Sequence, residues 1–453
     1  MRAFRAPIDR RALGIWVVVG LIGMGIVLAG HALLASWRID RAGVILNRHL
    51  GQDDRDGMPA VLAALGSPGS NGDPSFWRTY GAAAVRRPTD EAFARLAAAQ
   101  DRGELDRIGE LWLGEVAAAT GHWEVARQAY SKVNVANILV QRADAAMEAH
   151  KREQAMRWYG VAATSLRAAR ERELQRPTGE RAFYASEPTP IGGETMAPGG
   201  LAVLLLRIGC GFLNLEHPEE AIPVLKSALT EMQTDPPGLR ERQSIQFSLA
   251  QALAESTLPE DRRSRLVDTA EARPEHAAPI EIETQARDLA LAALELDDTG
   301  WAQFQSARVM ALLGDRVSAI RQARRALELD PTLVDAYLTL GTLHETAGLT
   351  NLARDVYEQG LEHVSSSEQL QVAWALASAK TLPPEEAIVR LEKVAKSNTR
   401  DPYLFAALGD MYFELGRDVD GITSYREGLR RAPGARPLLD RLALVGGPRW
   451  RWR

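Results

Sequence analysis

The sequence holds one cysteine in 453 residues, Cys210. A single thiol excludes an intramolecular disulfide and a cysteine-based metal cluster. It stands in the apolar run Leu204-Leu205-Leu206-Arg207-Ile208-Gly209-Cys210, which has helical character and reads as buried packing. Aromatic residues make up only 6% of the chain, and alternating runs of Val, Ile and Thr are nearly absent. Strands therefore have little to build on, and the abundant Ala and Leu argue for an all-helical chain. Lysine is scarce, six against forty-eight arginines, a skew that reads as codon bias of a GC-rich bacterial genome. The formal net charge is −5, so no basic footprint for nucleic acid is present.

Catalytic signatures are missing as well. The nearest approach to a zinc-hydrolase motif is His344-Glu345-Thr346-Ala347-Gly348. Glycine stands where the second imidazole is needed, one turn on, so no metal pair forms on that helix face. There is no Gly-x-x-x-x-Gly-Lys phosphate loop. Gly23-x-Gly25 and Gly209-x-Gly211 do not follow strands. Acid pairs such as Glu219-Glu220 and Glu385-Glu386 stand where helices begin, and carboxylates there complement the helix dipole. The expectation is a non-catalytic protein without cofactor or metal.

What is present is repetition. Residues 300–433 read as one pattern written four times without gaps, with evenly spaced starts at 300, 334, 368 and 402. The eighth places are Ala307, Gly341, Ala375 and Gly409; the fifteenth are Gly314, Gly348, Leu382 and Gly416. The twenty-fourth are Ala323, Tyr357, Leu391 and Tyr425, and Pro331, Ser365, Thr399 and Pro433 close the copies. Small residues recur where helices must touch and bulky ones where a core must be filled. This period and order, best seen in Tyr337-x-x-Leu340-Gly341-x-x-His344 and Phe405-x-x-Leu408-Gly409-x-x-Tyr412, resemble the tetratricopeptide repeat.

Weaker copies precede it. Trp77-x-x-Tyr80-Gly81 fits a start at 74, and Leu113-Gly114-x-x-Ala117 with Ala126-x-x-x-Tyr130 fits a start at 107. The next copy comes early. Its Ala155-x-x-x-Tyr159 follows Ala126-x-x-x-Tyr130 at a spacing of only 29. Residues 74–175 and 201–299 are expected to be degenerate helix pairs, with a connecting helix from Glu281 to Leu296. A loop rich in Pro and Gly separates them at 176–200, and loops of that length are often functional or disordered. Residues 300–435 form the regular array. Residues 436–453 supply a capping helix and the tail Gly446-Gly447-Pro448-Arg449-Trp450-Arg451-Trp452-Arg453, which either contacts a partner or membrane interface or has no role.

The amino-terminal part reads differently. Residues 1–11 carry Arg2, Arg5, Arg10 and Arg11. Residues 12–35 lack charge and, as a helix, would span about 36 Å, enough to cross a bilayer core of about 30 Å. A transmembrane helix followed by an α-solenoid is thus expected, in preference to the competing reading of a cleavable signal peptide, with residues 36–73 as linker around a short helix at 58–65. The denser arginines of the N-tail place it in the cytoplasm and the bulk of the chain outside, in a single-pass inner-membrane protein. Gly25-x-x-x-Ala29 offers a helix–helix face for self-association.

In tetratricopeptide proteins, stacked helix pairs form a concave groove for peptides or protein segments. The resemblance implies that places two, five, nine and twelve of each first helix line it. These are Trp301, Phe304, Arg308 and Ala311; Asp335, Leu338, Thr342 and Glu345; Gln369, Val372, Leu376 and Ala379; Tyr403, Ala406, Asp410 and Phe413. The family's carboxylate clamp uses Lys and Asn at such places. Here only Arg308 is basic, and the aromatics suit an apolar or amphipathic segment. The expected role is a membrane-anchored scaffold binding other proteins in envelope assembly, export or maturation of a membrane complex. The alternative is a non-catalytic regulatory or substrate-binding subunit of a membrane enzyme complex, which could face the cytoplasm.

Overall fold

The computed structural model describes residues 34, 36, 38–46, 58–65, 73–175, 184–189, 192–195, 200–258, 280–397 and 399–445. They fall into two compact units, residues 1–197 and 198–453. Each is built of antiparallel helix pairs laid side by side, a tetratricopeptide-like arrangement.

In the first unit the pairs are α2 (Pro74–Arg86) with α3 (Asp90–Asp101), α4 (Arg107–Ala119) with α5 (Trp123–Ser131), and α6 (Ala136–Glu148) with α7 (Arg152–Leu174). Their first helices begin at 74, 107 and 136, so the third pair starts early. Short α1 (Met58–Leu65) packs ahead of α2. Residues 38–46, inside the expected linker, are helical too. Ala42 and Leu46 are buried with Val61, Leu65, Trp77 and Tyr80, because apolar residues at Ile39, Ala42, Ile45 and Leu46 form one helix face.

The chain is all-α in class, as expected, with one addition in the loop. Within 176–200, strands β1 (Tyr184–Thr189) and β2 (Gly192–Thr195) pair antiparallel, Tyr184 opposite Thr195 and Thr189 opposite Gly192. A ladder satisfies backbone donors and acceptors that a structureless loop would leave to water.

The second unit opens with α8 (Gly200–Asn214) and α9 (Pro218–Thr234), then α10 (Leu239–Ser256) packed against α11 (Ile280–Leu296). Four regular pairs follow: α12 (Gly300–Leu312) with α13 (Arg316–Leu329), α14 (Val334–Thr346) with α15 (Thr350–His363), α16 (Glu368–Thr381) with α17 (Pro384–Ala395), and α18 (Pro402–Glu414) with α19 (Asp418–Arg431). We call them pairs I to IV. Helix α20 (Arg436–Val445) closes the described array.

Local chemistry explains each turn. Gly314, Gly348 and Gly416 sit at φ of 76°, 76° and 69°, where a side chain is costly. The amide one residue on then reaches back into the helix: Asp315 N–H donates to Met310 O, Leu349 to His344 O and Arg417 to Tyr412 O. This is the left-handed helix end that frees the chain to reverse. Pair III has Leu382 there and turns instead through extended Leu382 and Pro383.

Among the described residues no helix is long and apolar enough to cross a membrane. The apolar α8 has 15 residues and carries Arg207, so it would reach only about 22 Å. The single-pass inner-membrane localisation, with its cytoplasmic N-terminus and exported bulk, is corrected accordingly and is not carried further. The stretch 12–35 lies outside the described residues save Leu34, as do residues 1–11 and the tail 446–453.

Candidate partner-binding face

The site is framed by what each pair uses up in holding itself together. At the crossing of the two helices, place eight of the first meets place twenty-four of the second. A Cβ on Gly341 would lie 2.1 Å from Tyr357 Cε1, and one on Gly409 would lie 2.1 Å from Tyr425 Cε1. The glycines exist because the tyrosine rings occupy that space. Pair I makes the same crossing with Ala307 and Ala323, both fully buried, and pair III with Ala375 and Leu391.

Each buried tyrosine needs a partner for its hydroxyl. Tyr425 Oη donates to Asp410 Oδ1 at 2.5 Å, Tyr130 Oη to Glu115 Oε1 at 2.9 Å, and Tyr159 Oη to Asp144 Oδ1 at 2.6 Å. In all three the acid precedes the tyrosine by fifteen positions. Tyr357 instead donates to Glu345 Oε1 at 3.1 Å. Burial and the adjacent carboxylate push the Tyr357 and Tyr425 hydroxyls well above the ordinary phenol range. Tyr412, buried and donating to Glu392, is pushed up to about 12.

A cation from the following element then neutralises the acid. Arg441 of α20 donates from Nε to Asp410 Oδ1 at 2.8 Å, Lys380 Nζ to Glu345 Oε2 at 2.6 Å, and Arg142 Nη1 to Glu115 Oε1 at 2.9 Å. Tyrosine, acid and cation thus tie the second helix of a pair, its first helix and the next element. The sequence reading missed this network. The fifteen-residue interval from acid to tyrosine, shared by three of the four, was the available signal.

The structure separates the expected groove residues into two groups. Several are consumed by packing. Phe304 is 8% exposed and sits with Ala326 and Ala336. Trp301 stands edge-on to Phe247, centroids 5.8 Å apart, beneath the Arg240 guanidinium. Phe413 stacks on Tyr425 at 5.6 Å. Val372 and Ala406 are buried, Leu338 packs beside Tyr337, and Ala311 and Ala379 are half-buried. Glu345 and Asp410 belong to the network above. The others stay open. Tyr403 is 50% exposed, Asp335 and Gln369 are exposed, and Arg308, Thr342 and Leu376 are half-buried. Arg308 donates to Gln305 at 3.1 Å and lies over Phe304. Place five is therefore a packing position here. Place six, absent from the expected set, is half-buried in every pair: Gln305, Thr339, Ala373 and Ala407.

The open strip at places six and nine runs Gln305/Arg308, Thr339/Thr342, Ala373/Leu376, Ala407/Asp410. Its centre is small and uncharged. His344 lies away from it, buried at 4% exposure with Nδ1 unpartnered. No group of three or more His, Cys, Asp or Glu side chains suited to a metal occurs among the described residues.

No protein-family model and no curated protein matches the sequence. Similar solved structures exist. One is a tetratricopeptide repeat protein from Parabacteroides merdae, with 13% identity and a TM-score of 0.41 over 69% of this chain and 99% of that one. Another is a thermophilic TPR protein of Thermus thermophilus, with 20% identity and a TM-score of 0.29 over 37% and 91%. A third, YrrB, is described as a TPR protein with an unusual peptide-binding site, at 14% identity and a TM-score of 0.33 over 48% and 97%. The tetratricopeptide-like character of this chain rests on its own regular period and paired helices.

Proposed function

We propose that pairs I to IV bind a segment of a partner protein along the strip formed by places six and nine, and that the protein acts as a non-catalytic scaffold. One observation carries the reading. The charged side chains nearest the strip's centre are already neutralised within the protein, Asp410 by Arg441 and Glu345 by Lys380. Between them stand Thr339, Thr342, Ala373, Leu376 and Ala407, uncharged and half-buried, with part of their surface left to a ligand. Arg308, at the pair I end, has no carboxylate partner among the described residues. The fitting ligand is an amphipathic segment that lays apolar side chains over the centre and an acidic one against Arg308. A regulatory or substrate-binding subunit would use the same face in the same way.

The test is capture by the wild-type chain and by a Thr342→Glu/Leu376→Arg variant, with cross-linked partners identified by mass spectrometry. Thr342 borders the Tyr357 hydroxyl and Leu376 the buried cluster below it, so only a variant that keeps wild-type helical circular dichroism is compared. Loss of the captured proteins with folding intact supports the proposal, and cross-links should map to α12, α14 and α16. Equal capture by a folded variant sinks it.

A further inference from the structure

Helix α20 begins at 436 and α18 at 402, the same interval that separates the earlier copies, so α20 occupies the first-helix position of a fifth copy. Its inner side behaves accordingly. Leu438, at place three, is fully buried, against Gly428, just as Leu370 and Leu404 are buried at place three of their own helices. Its other side departs from the pattern. In pairs II and IV place four is Tyr337 or Phe405, each sealed by its own second helix, where Gly360 and Gly428 make room for the ring. Place eight is Gly341 or Gly409, covered by Tyr357 or Tyr425. In α20 the same two places are Leu439 and Ala443. Leu439 is 46% exposed, Ala443 is exposed, and Leu444 beside them is 74% exposed. No described helix covers this face.

Pairs II and IV show what such a face accepts. An antiparallel helix sets a small residue over the large place four and a large residue over the small place eight. Helix α20 carries both halves on one stripe, large Leu439 and small Ala443 one turn apart. A second α20 running antiparallel sets Leu439 on the partner's Ala443 and Ala443 beneath the partner's Leu439. The stripe is self-complementary in the sense a two-fold interface requires. We propose that two copies of this chain associate through α20, each packing on the face of the other that no described helix covers. The contact repeats the arrangement of pairs II and IV, with large against small at the crossing as close packing demands. A ten-residue helix offers a small interface, so the association is reversible and concentration-dependent.

Sedimentation of the full chain tests this from about one to several hundred micromolar, a range suited to small transient contacts. The expected result is a shift from 49.6 kDa towards twice that mass, abolished in Leu439→Glu. Val317→Glu, at a site 76% exposed on α13, should leave the shift intact. Both residues face solvent in the single chain, so both variants should keep wild-type helical content. Photoreactive benzoylphenylalanine at position 439 reads the geometry directly. A dimer-mass product linking 439 to residues 436–445 of the second copy supports the pairing. A monomer at every concentration overturns it. So does a dimer that survives Leu439→Glu, or a photoproduct of monomer mass joining 439 to residues 446–453 of the same chain.

Discussion

Pair II and the α4–α5 pair solve one problem with different tolerance. Both cross a glycine against a tyrosine. At Gly114 a Cβ would stand 3.0 Å from the Tyr130 ring, whereas at Gly341 it would stand 2.1 Å from Tyr357. The turns divide differently. Pairs I, II and IV and the α4–α5 pair, with Gly121 at φ 86°, place glycine at the left-handed residue, while the α6–α7 and α8–α9 pairs place His150 at φ 57° and Glu216 at φ 67°. The less regular pairs keep the geometry and carry more strain or slack in it. The crossing accepts several residue combinations, from Ala307 on Ala323 to Gly341 under Tyr357, provided one partner stays small.

The largest effect expected from breaking this comparison is at the tight crossing. Gly341→Ala drives a methyl into a ring that is buried and hydrogen-bonded to Glu345, and overpacking of this kind costs about 3 kcal/mol. Alanine returns about 1 kcal/mol of helix propensity, leaving a net loss of about 2 kcal/mol. Gly114→Ala meets a milder contact that the same propensity gain roughly offsets. Hydrogen exchange of α14 and α15, compared with α4 and α5, measures the two local openings. Tyr357→Ala on its own should cost more still, about 3 to 5 kcal/mol, because it empties the space that the buried ring fills. If both glycine variants behave alike, the distinction drawn from the contact distances is wrong.

The turns give the next effect, about half as large. A non-glycine residue in the left-handed region costs roughly 1 kcal/mol or more. Glu216→Gly should therefore slow exchange at the α8–α9 turn by about 1 kcal/mol, and Gly348→Ala should accelerate it at the α14–α15 turn by a similar amount. Equal and opposite shifts would show that the less regular pairs are strained at their turns. No change at Glu216 would show that neighbouring contacts already compensate it.

These contrasts also mark how far the sequence could be read. The regular period was visible because the crossings need small residues at fixed places, and Gly341 and Gly409 announce them. The early start of the α6–α7 pair was visible through Tyr159. Exposure of the binding face was harder. Phe304, Trp301 and Phe413 look like ligand-facing aromatics in a repeat alignment, yet Ala326, Phe247 and Tyr425 claim them, and those partners lie on other helices. Place six escaped notice because Thr339, Ala373 and Ala407 carry no conspicuous chemistry. Asp410 seemed a groove acid because its cation, Arg441, comes from the cap helix rather than from its own repeat.

The smallest effect is confined to acid. Place eleven is Met310 in pair I, Ser378 in pair III and Tyr412 in pair IV, the last two with hydroxyls that find acceptors; His344 in pair II is buried with Nδ1 unpartnered. Burial holds its imidazolium below the ordinary histidine value, and the positive charge of Arg324 on α13 adds to this. Glu345, the nearest acid along α14, is committed to Tyr357 and Lys380. The unfolded chain takes up a proton near about pH 6.5 while the folded one does not. Stability is therefore full above that pH and falls as the pH drops from about 6.5 towards the depressed folded value. His344→Met copies pair I and removes the titration. Exchange of α14 and α15 measured between pH 7 and pH 5, corrected for intrinsic rates, should show a pH-dependent loosening in the wild type that is absent in the variant. An identical dependence in both would mean that the imidazole is hydrated in solution and that pair II, like pair I, has no acid-sensitive seam.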